Sequence, residues 1–487
     1  MPNHPQREAV VARVHAATTA LAAGLAPAEA ESFVAFARVA LGQARTLVIL
    51  QHPPAEFATG LLELWRFVAE GSPRVTVDPT DDGLLVRSVV KDQPFIVDTL
   101  RLGLRVAGAS HIAGYNFIAR VAGAGPTARV VGEGEGTGVS VVRFEVEGID
   151  ADANTVQQDL WARLAIAQAM VSDYEPMMAR VEKTALAAFE LGTAEAMEAA
   201  EFLRWLLGDN YVFVGITQGD ERLGADRVAP GDLWPPAPTR ETAGIISLRK
   251  TQTESPVHRA GRVDAIRVAL PGGPVILRGM FTHRALTQPC RHLPILRRTL
   301  DAVLADTRQR PHTWRYRGLA NIFDAMPTEW LFSATTAQIR EVLEQVFDAD
   351  QEQTARVHVS QADDGDSTFA LLAIPERRYS ETVRNKALAE LRKLTAATYT
   401  DSGIFAGRFD SVLLQVYQTG TRTLSAAQVE AFDRYVADLT TPWMERASEA
   451  IEAHFGDDGL ALVARYAGAI PADYSEETGS AQIVRDI

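Results

Sequence analysis

Cysteine is almost absent. Cys290 is the only one in 487 residues, so no internal disulfide framework exists, and a reducing, cytoplasmic setting is expected. Lysine is nearly as scarce, confined to Lys91, Lys183, Lys250, Lys386 and Lys393. No glycine directly precedes any of these five, which excludes a phosphate-binding loop of the GxxxxGK type. Long apolar runs are missing too: none approaches the ~18 residues of a membrane span. The start, MPNHPQREAVVARVH, has no basic segment followed by an apolar core, so no signal peptide is expected. Positive charge is in deficit, with a net charge of −14. Such a body repels phosphate backbones, and neither nucleic acid nor membrane is an expected partner.

Catalytic motifs are lacking as well. The ten histidines form no HExxH, no GxSxG elbow is present, and one cysteine cannot make CxxC. The glycine-rich stretch GEGEGTG (132–138) never satisfies GxGxxG. Its Glu133 and Glu135 would repel a pyrophosphate, and it lies between strands as an exposed hairpin. No catalytic residue, metal ligand or bound cofactor is therefore expected in this span.

What is present is a chain able to bury cores, 47% hydrophobic and 23% charged. Residues 1–78 read as a helical segment, with VARVHAATTALAAGL, AESFVAFARVALGQA and FATGLLELWRFVAE apolar at helical spacing. Residues 79–185 alternate strand and helix: LLVRSVV (84–90), a helix over 95–107, HIAGYNFIARVA (111–122), SVVRFEVEG (140–148), and one long helix from Thr155 to Lys183. This βαββα order is the core of a ferredoxin-like sandwich. Residues 196–292 open on a helix whose Phe202, Trp205 and Leu206 share a face. The strands YVFVGI, GIISLRK, GRVDAIRVAL and GPVILRGMFTH come next, a small antiparallel sheet of the PAS kind. A helical connector spans 293–350. Over 352–422, RVHVS, a DDGD turn, TFALLAI, a helix capped by Ser380 and SVLLQVYQ give a second ferredoxin-like unit. Residues 423–487 are helical with a polar tail. The expected fold is α+β: tandem βαββαβ sandwiches, an intervening PAS-like sheet and helical linkers.

Two constellations could bind a ligand. The first is the corner Lys91, Asp92, Gln93, Pro94 and Phe95, with Asp98 one turn on. As a plain corner, Asp92 caps the helix, Pro94 occupies its first turn, and Phe95 and Ile96 enter the core. As a binding corner, the free N–H groups of the first turn and Lys91 receive a carboxylate. The second is Ser255, His258 and Arg259 with Asp264, where charged and imidazole groups beside a strand either grip a ligand or satisfy one another.

Several segments resemble, in collinear order from about residue 74 onward, the large bacterial NAD-specific glutamate dehydrogenases. They are DQPFIVDTLR, EFLRWLLGDNYVFVGI, LRKTQTESPVHRAGRVDAIRV, GMFTHRALTQPCRHLPILRR, YRGLANIFDAMPTEWLF, PERRYSETVRNK and HFGDDGLALVARYAGAIPADYSEE. Each is weak alone; their shared order makes the signal. The resemblance implies an N-terminal regulatory region of ACT domains with a PAS-like module between them. ACT units typically bind an amino acid at the corner after the first strand, and in that family NAD belongs to a dehydrogenase domain far downstream. The chain departs from the family pattern at Gln93, where methionine is usual. At Phe95, where ACT corners often carry glycine, the side chain blocks the closest backbone approach. It also lacks a dinucleotide fingerprint and a glycine-flanked catalytic lysine. The resemblance therefore implies a regulatory and assembly region, non-catalytic alone, that works with its own catalytic domain or other subunits in a homo-oligomer. A stand-alone amino-acid sensor and a purely structural scaffold are the alternatives.

Overall fold

The computed structural model describes residues 5–228, 231, 233–235, 244–306, 310, 313–361, 367–405, 410–466, 468, 470, 474 and 482–486. It is a mixed α/β structure with antiparallel sheets, and the chain divides into two compact units. The first comprises residues 1–192 and 206–281, the second residues 193–205 and 282–487.

In the first unit, α1 (Pro5–Ala22), α2 (Pro27–Gln43), α3 (Thr46–Leu50) and α4 (Pro54–Ala69) precede β1 (Arg74–Thr80) and β2 (Gly83–Lys91). Helix α5 (Ile96–Val106), β3 (His111–Ala122), the two-residue β4 (Arg129–Val130), β5 (Thr137–Glu147), α6 (Ala153–Ser172) and α7 (Tyr174–Glu190) come after them. The sheet order is β1-β2-β5-β3-β4. Strand alternation sorts side chains onto two faces. Val89, Tyr115, Phe117, Val139 and Val141 meet α1, α2 and α4. Val86, Val90, Val142, Phe144 and Val146 meet α5 and α6. Helices therefore cover both faces. The edge beside β2 is filled by β1, which comes from before the βαββα core, so the element order is ββαβββα with β4 a short addition.

The long helix expected from Thr155 to Lys183 is two helices. Pro176 has no N–H, and its ring would collide with the carbonyl of Ser172, so the chain breaks at Asp173. The freed Asp173 carboxylate accepts from the Gly224 N–H (2.8 Å) and from Arg227 (2.8 Å).

The middle sheet also belongs to the first unit. It consists of β6 (Tyr211–Gln218), β7 (Glu221–Gly224), β8 (Ile246–Glu254), β9 (Arg262–Val268) and β10 (Val275–Phe281), with the short α9 (Ala225–Val228) after β7. Helix α8 (Ala194–Trp205) intervenes in the chain but is part of the second unit. There Phe202 and Trp205 pack on Phe332, and Glu198 and Glu201 both bind Arg297. Residues 196–205 thus group with the second unit, while Leu206 and the strands after it group with the first. The middle sheet is antiparallel throughout, in the order β7-β6-β10-β9-β8.

The second unit runs through α10 (His283–Leu286), α11 (Leu296–Asp306), α12 (Trp314–Ala325), α13 (Thr328–Ser333) and α14 (Thr336–Glu352). It continues with β11 (Arg356–Gln361), β12 (Ser367–Pro375), α15 (Glu381–Thr395), β13 (Tyr399–Phe405), β14 (Ser411–Thr419) and α16 (Ala426–Thr440). Helices α17 (Trp443–Phe455), α18 (Asp457–Tyr466) and the short α19 (Ile483–Asp486) follow. The expected DDGD turn lies outside the described residues. The sheet order β11-β12-β14-β13 repeats that of the first unit. The layering repeats too: Phe369, Leu371, Ala373 and Leu413 meet α11 to α14, and Ala370, Leu372, Ile374 and Leu414 meet α15 and α16.

One further detail is shared. The edge strand β1 donates its Val77 N–H to Gln157 of α6 (3.0 Å), and the edge strand β11 donates its Val357 N–H to Asp433 of α16 (2.7 Å). In each repeat the closing helix satisfies an edge amide that would otherwise be open for strand addition. Among the described residues no helix is long and apolar enough to cross a membrane, and no group of three or more acidic, histidine or cysteine side chains could hold a metal.

Candidate functional site: an uncapped corner beside a cleft

Strand β2 ends at Lys91, paired with Val139, and the Asp92 N–H continues the ladder to the Gly138 carbonyl (2.9 Å). The chain then turns through Gln93 and Pro94 into α5. The helix begins later than the sequence suggests. Its N-cap is Phe95, in the left-handed region at φ 75°, and no side chain caps it. Asp92 is therefore not the cap, and Pro94 precedes the first turn. Ile96 enters the core at 2% exposure, while Lys91, Asp92, Pro94 and Asp98 are exposed.

A left-handed phenylalanine is costly, because its Cβ crowds the following carbonyl. Here packing holds it: the Phe95 ring meets the His258 ring edge to face at 5.2 Å and joins Ile166, Met170 and Val257 in one apolar cluster. His258 is itself left-handed, at φ 68°. Its backbone N–H donates to the Thr99 hydroxyl of α5 (3.3 Å). The two constellations read separately in the sequence thus touch, through a pair of residues in uncommon backbone conformations.

A cleft of about 710 Å³ opens on the other side of the corner. Lys91, Gln93 and Ile96 line it from the corner, Trp161, Leu164 and Gln168 from α6, and Ser72 and Thr137 from neighbouring loops and strands. Asp92, Pro94, Phe95 and Asp98 are not among its walls. Mostly apolar walls with a few polar groups are what a small organic ligand needs. The uncapped first turn of α5 adds N–H donors and the positive end of a helix dipole.

In the second constellation the fold occupies most of the groups. Ser255 donates to the Val257 carbonyl (2.7 Å), Arg259 to the Phe281 carbonyl (2.5 Å), and Asp264 pairs with Lys250 across β8 and β9 at 3.1 Å. Burial, and secondarily the Arg259 charge, push the His258 imidazole below its ordinary pKa, against a weaker opposing pull from Asp98. At neutral pH it is an uncharged ring for Phe95 to pack on.

Sequence reasoning misses two further groups. Arg163 on α6 is 5% exposed, binds Asp159 through Nε (2.6 Å) and donates from Nη1 to the Pro256 carbonyl (3.2 Å). Arg278 is 4% exposed, pairs with Asp226 and lies 4.1 Å over the Trp234 ring, while Trp234 and Thr217 also donate to Asp226 (2.5 and 2.6 Å). The partners of Arg278 lie 52 and 44 positions away in the chain, so no local pattern announces them. For Arg163 a signal exists: an arginine interrupting the stripe it shares with Ile166, Ala167 and Met170.

Fold and site together define a multi-module α+β chain with a cleft at one strand–helix corner. A family model described as "Glutamate dehydrogenase, helical motif 1" matches residues 293–352, the helices α11 to α14. NAD-specific glutamate dehydrogenase of Halomonas elongata is 23% identical over 491 residues, covering 88% of this chain and 30% of that protein. The enzyme of the same name from Pseudomonas aeruginosa is 22% identical, covering 79% of this chain and 26% of the relative. Over most of its length the chain is thus similar to large NAD-specific glutamate dehydrogenases, and it spans less than a third of the length of these relatives.

Proposed function

We propose that this chain is a regulatory and assembly region of a large NAD-dependent glutamate dehydrogenase, and that the cleft at Lys91, Gln93 and Ile96 receives an amino acid. The observation that carries this is the uncapped N-terminus of α5 bordering a cleft of amino-acid size. A carboxylate placed there would take the hydrogen bonds that a capping side chain takes elsewhere. Lys91 adds charge from the rim. The two repeats support an ACT reading, with the edge strand supplied from the N-terminal side. For the middle sheet, five antiparallel strands with the first and fifth adjacent at the centre support a PAS-like reading.

Reduction of NAD belongs, on this reading, to another part of the parent enzyme. The sequence has no dinucleotide fingerprint, and every strand pair among the described residues is antiparallel. That leaves no parallel switch point at which a dinucleotide would sit. A thermal-shift screen of the purified chain with the twenty amino acids tests the reading. At least one amino acid is expected to raise the melting temperature at millimolar concentration, and Lys91→Ala is expected to reduce that shift. A flat screen would favour the scaffold alternative.

A further inference from the structure

Helix α6 carries two stripes. Trp161, Leu164, Ala165 and Gln168 face the cleft described above. Arg163, one residue off that stripe, lines a different cavity of about 400 Å³. Its neighbours there are Val106 at the end of α5, Leu233, and Glu254, Ser255 and Arg262 of the middle sheet and its loop.

Burying an arginine is expensive unless its donors are used. Arg163 uses Nε on Asp159 and Nη1 on the Pro256 carbonyl, while Nη2 makes no hydrogen bond among the described residues. The fold also makes room for it. A Cβ on Gly103, inside α5, would lie 2.9 Å from Arg163 Cδ and 2.8 Å from Leu160 Cδ2. A mid-helix glycine lowers helix stability, and here it lets the arginine stem pass beneath α5. Glu254 approaches Arg262 at 3.6 Å. The cavity therefore offers a buried cation, a second cation at its wall, one carboxylate and apolar sides.

We propose that this cavity binds a small carboxylate ligand, held by the Arg163 guanidinium. The site is separate from the corner cleft and does not depend on that cleft being occupied. Planar guanidinium against planar carboxylate is the matching geometry, and Glu254 is placed to hold an ammonium if the ligand carries one.

Isothermal titration of the whole chain with acetate, succinate, L-glutamate and inorganic phosphate tests this. A carboxylate is expected to bind, glutamate more tightly than succinate if Glu254 takes part. Arg163→Gln is expected to weaken binding about tenfold or more, the loss typical of a charge-assisted pair. The same loss is expected when Arg163→Gln is made in a Lys91→Ala background, which removes the corner cleft's contribution. Because Arg163→Gln could impair folding, Val106→Tyr serves as a second variant: Val106 is 53% exposed, and the larger ring would crowd the cavity and weaken binding. The proposal is overturned if no probe binds at millimolar concentration, if only phosphate binds, or if carboxylate affinity is unchanged in folded Arg163→Gln or in Val106→Tyr.

Discussion

The two ββα corners of this chain occupy equivalent places in two repeats with the same strand order, yet they are finished differently. After β12, the chain passes Pro375 and reaches Ser380, whose hydroxyl accepts from the Val383 N–H at 3.2 Å and closes the N-terminus of α15. After β2, it reaches Phe95, which caps nothing, sits in the left-handed region and packs its ring on His258. One corner meets its own hydrogen-bonding needs. The other leaves donors beside a cleft and spends its side chain on a contact with the middle sheet. The same scaffold thus yields a closed corner and an open one, and the open one is the candidate sensor. Phe95 also links cleft and middle sheet, so a ligand that moved the corner would act on His258 first.

Core substitutions should have the largest effects and treat the repeats alike. Leu100→Ala in α5 and Leu391→Ala in α15, both fully buried, should each cost about 2–5 kcal/mol in the denaturant unfolding of its own unit. A large loss in only one would break the equivalence. Phe95→Ala comes next, with about 1.5–3 kcal/mol lost with the ring. Phe95→Gly should recover part of this, because glycine accepts the left-handed backbone without strain. A glycine variant less stable than the alanine variant would contradict the strain account. Ser380→Ala should then cost about 1 kcal/mol for a lost cap, whereas Asp92→Ala should change stability by less than about 0.5 kcal/mol. Equal losses at the two positions would mean that both corners are capped.

The smallest effect is that of pH. Burial lowers the pKa of His258 and, against a partial pull from Glu341, of His358 below the ordinary value of about 6.5. The unfolded chain then takes up protons first. Their contribution is complete above about pH 6.5 and declines as the pH falls toward the folded values. Thermal melts between pH 7.5 and 5.5 should show it, and His358→Gln should flatten the dependence.

Much of this is legible from the residues. Alternation in LLVRSVV, TFALLAI and SVLLQVYQ marks strands because one face of each sheet meets helices that the sequence also shows. Ser380 is readable as a cap because a hydroxyl directly before an amphipathic run has one obvious use. Other features are not. Strand β13, YTDSGIF, carries aspartate, serine and glycine, and it is held by pairing with β14 rather than by its own propensity. Pro176 is a visible break, but the helical pattern continues on both sides of it and masks the boundary. The left-handed Phe95 cannot be seen, because its conformation is imposed by His258, which lies 163 positions later. The Lys91 corner is legible as a strand end, but its cap points to Asp92 only because aspartate is the residue type that usually does that work.

The most direct test is amide hydrogen exchange with and without the amino acid that gives the largest thermal shift. An open corner predicts that amides at residues 96–98 exchange fast in the free protein and slow on ligand addition, while those at 381–383, where Ser380 already caps the Val383 N–H, do not change. No slowing at 96–98 under saturating ligand, or slowing at 381–383 in its place, would contradict the assignment of the Lys91 corner as the sensing site.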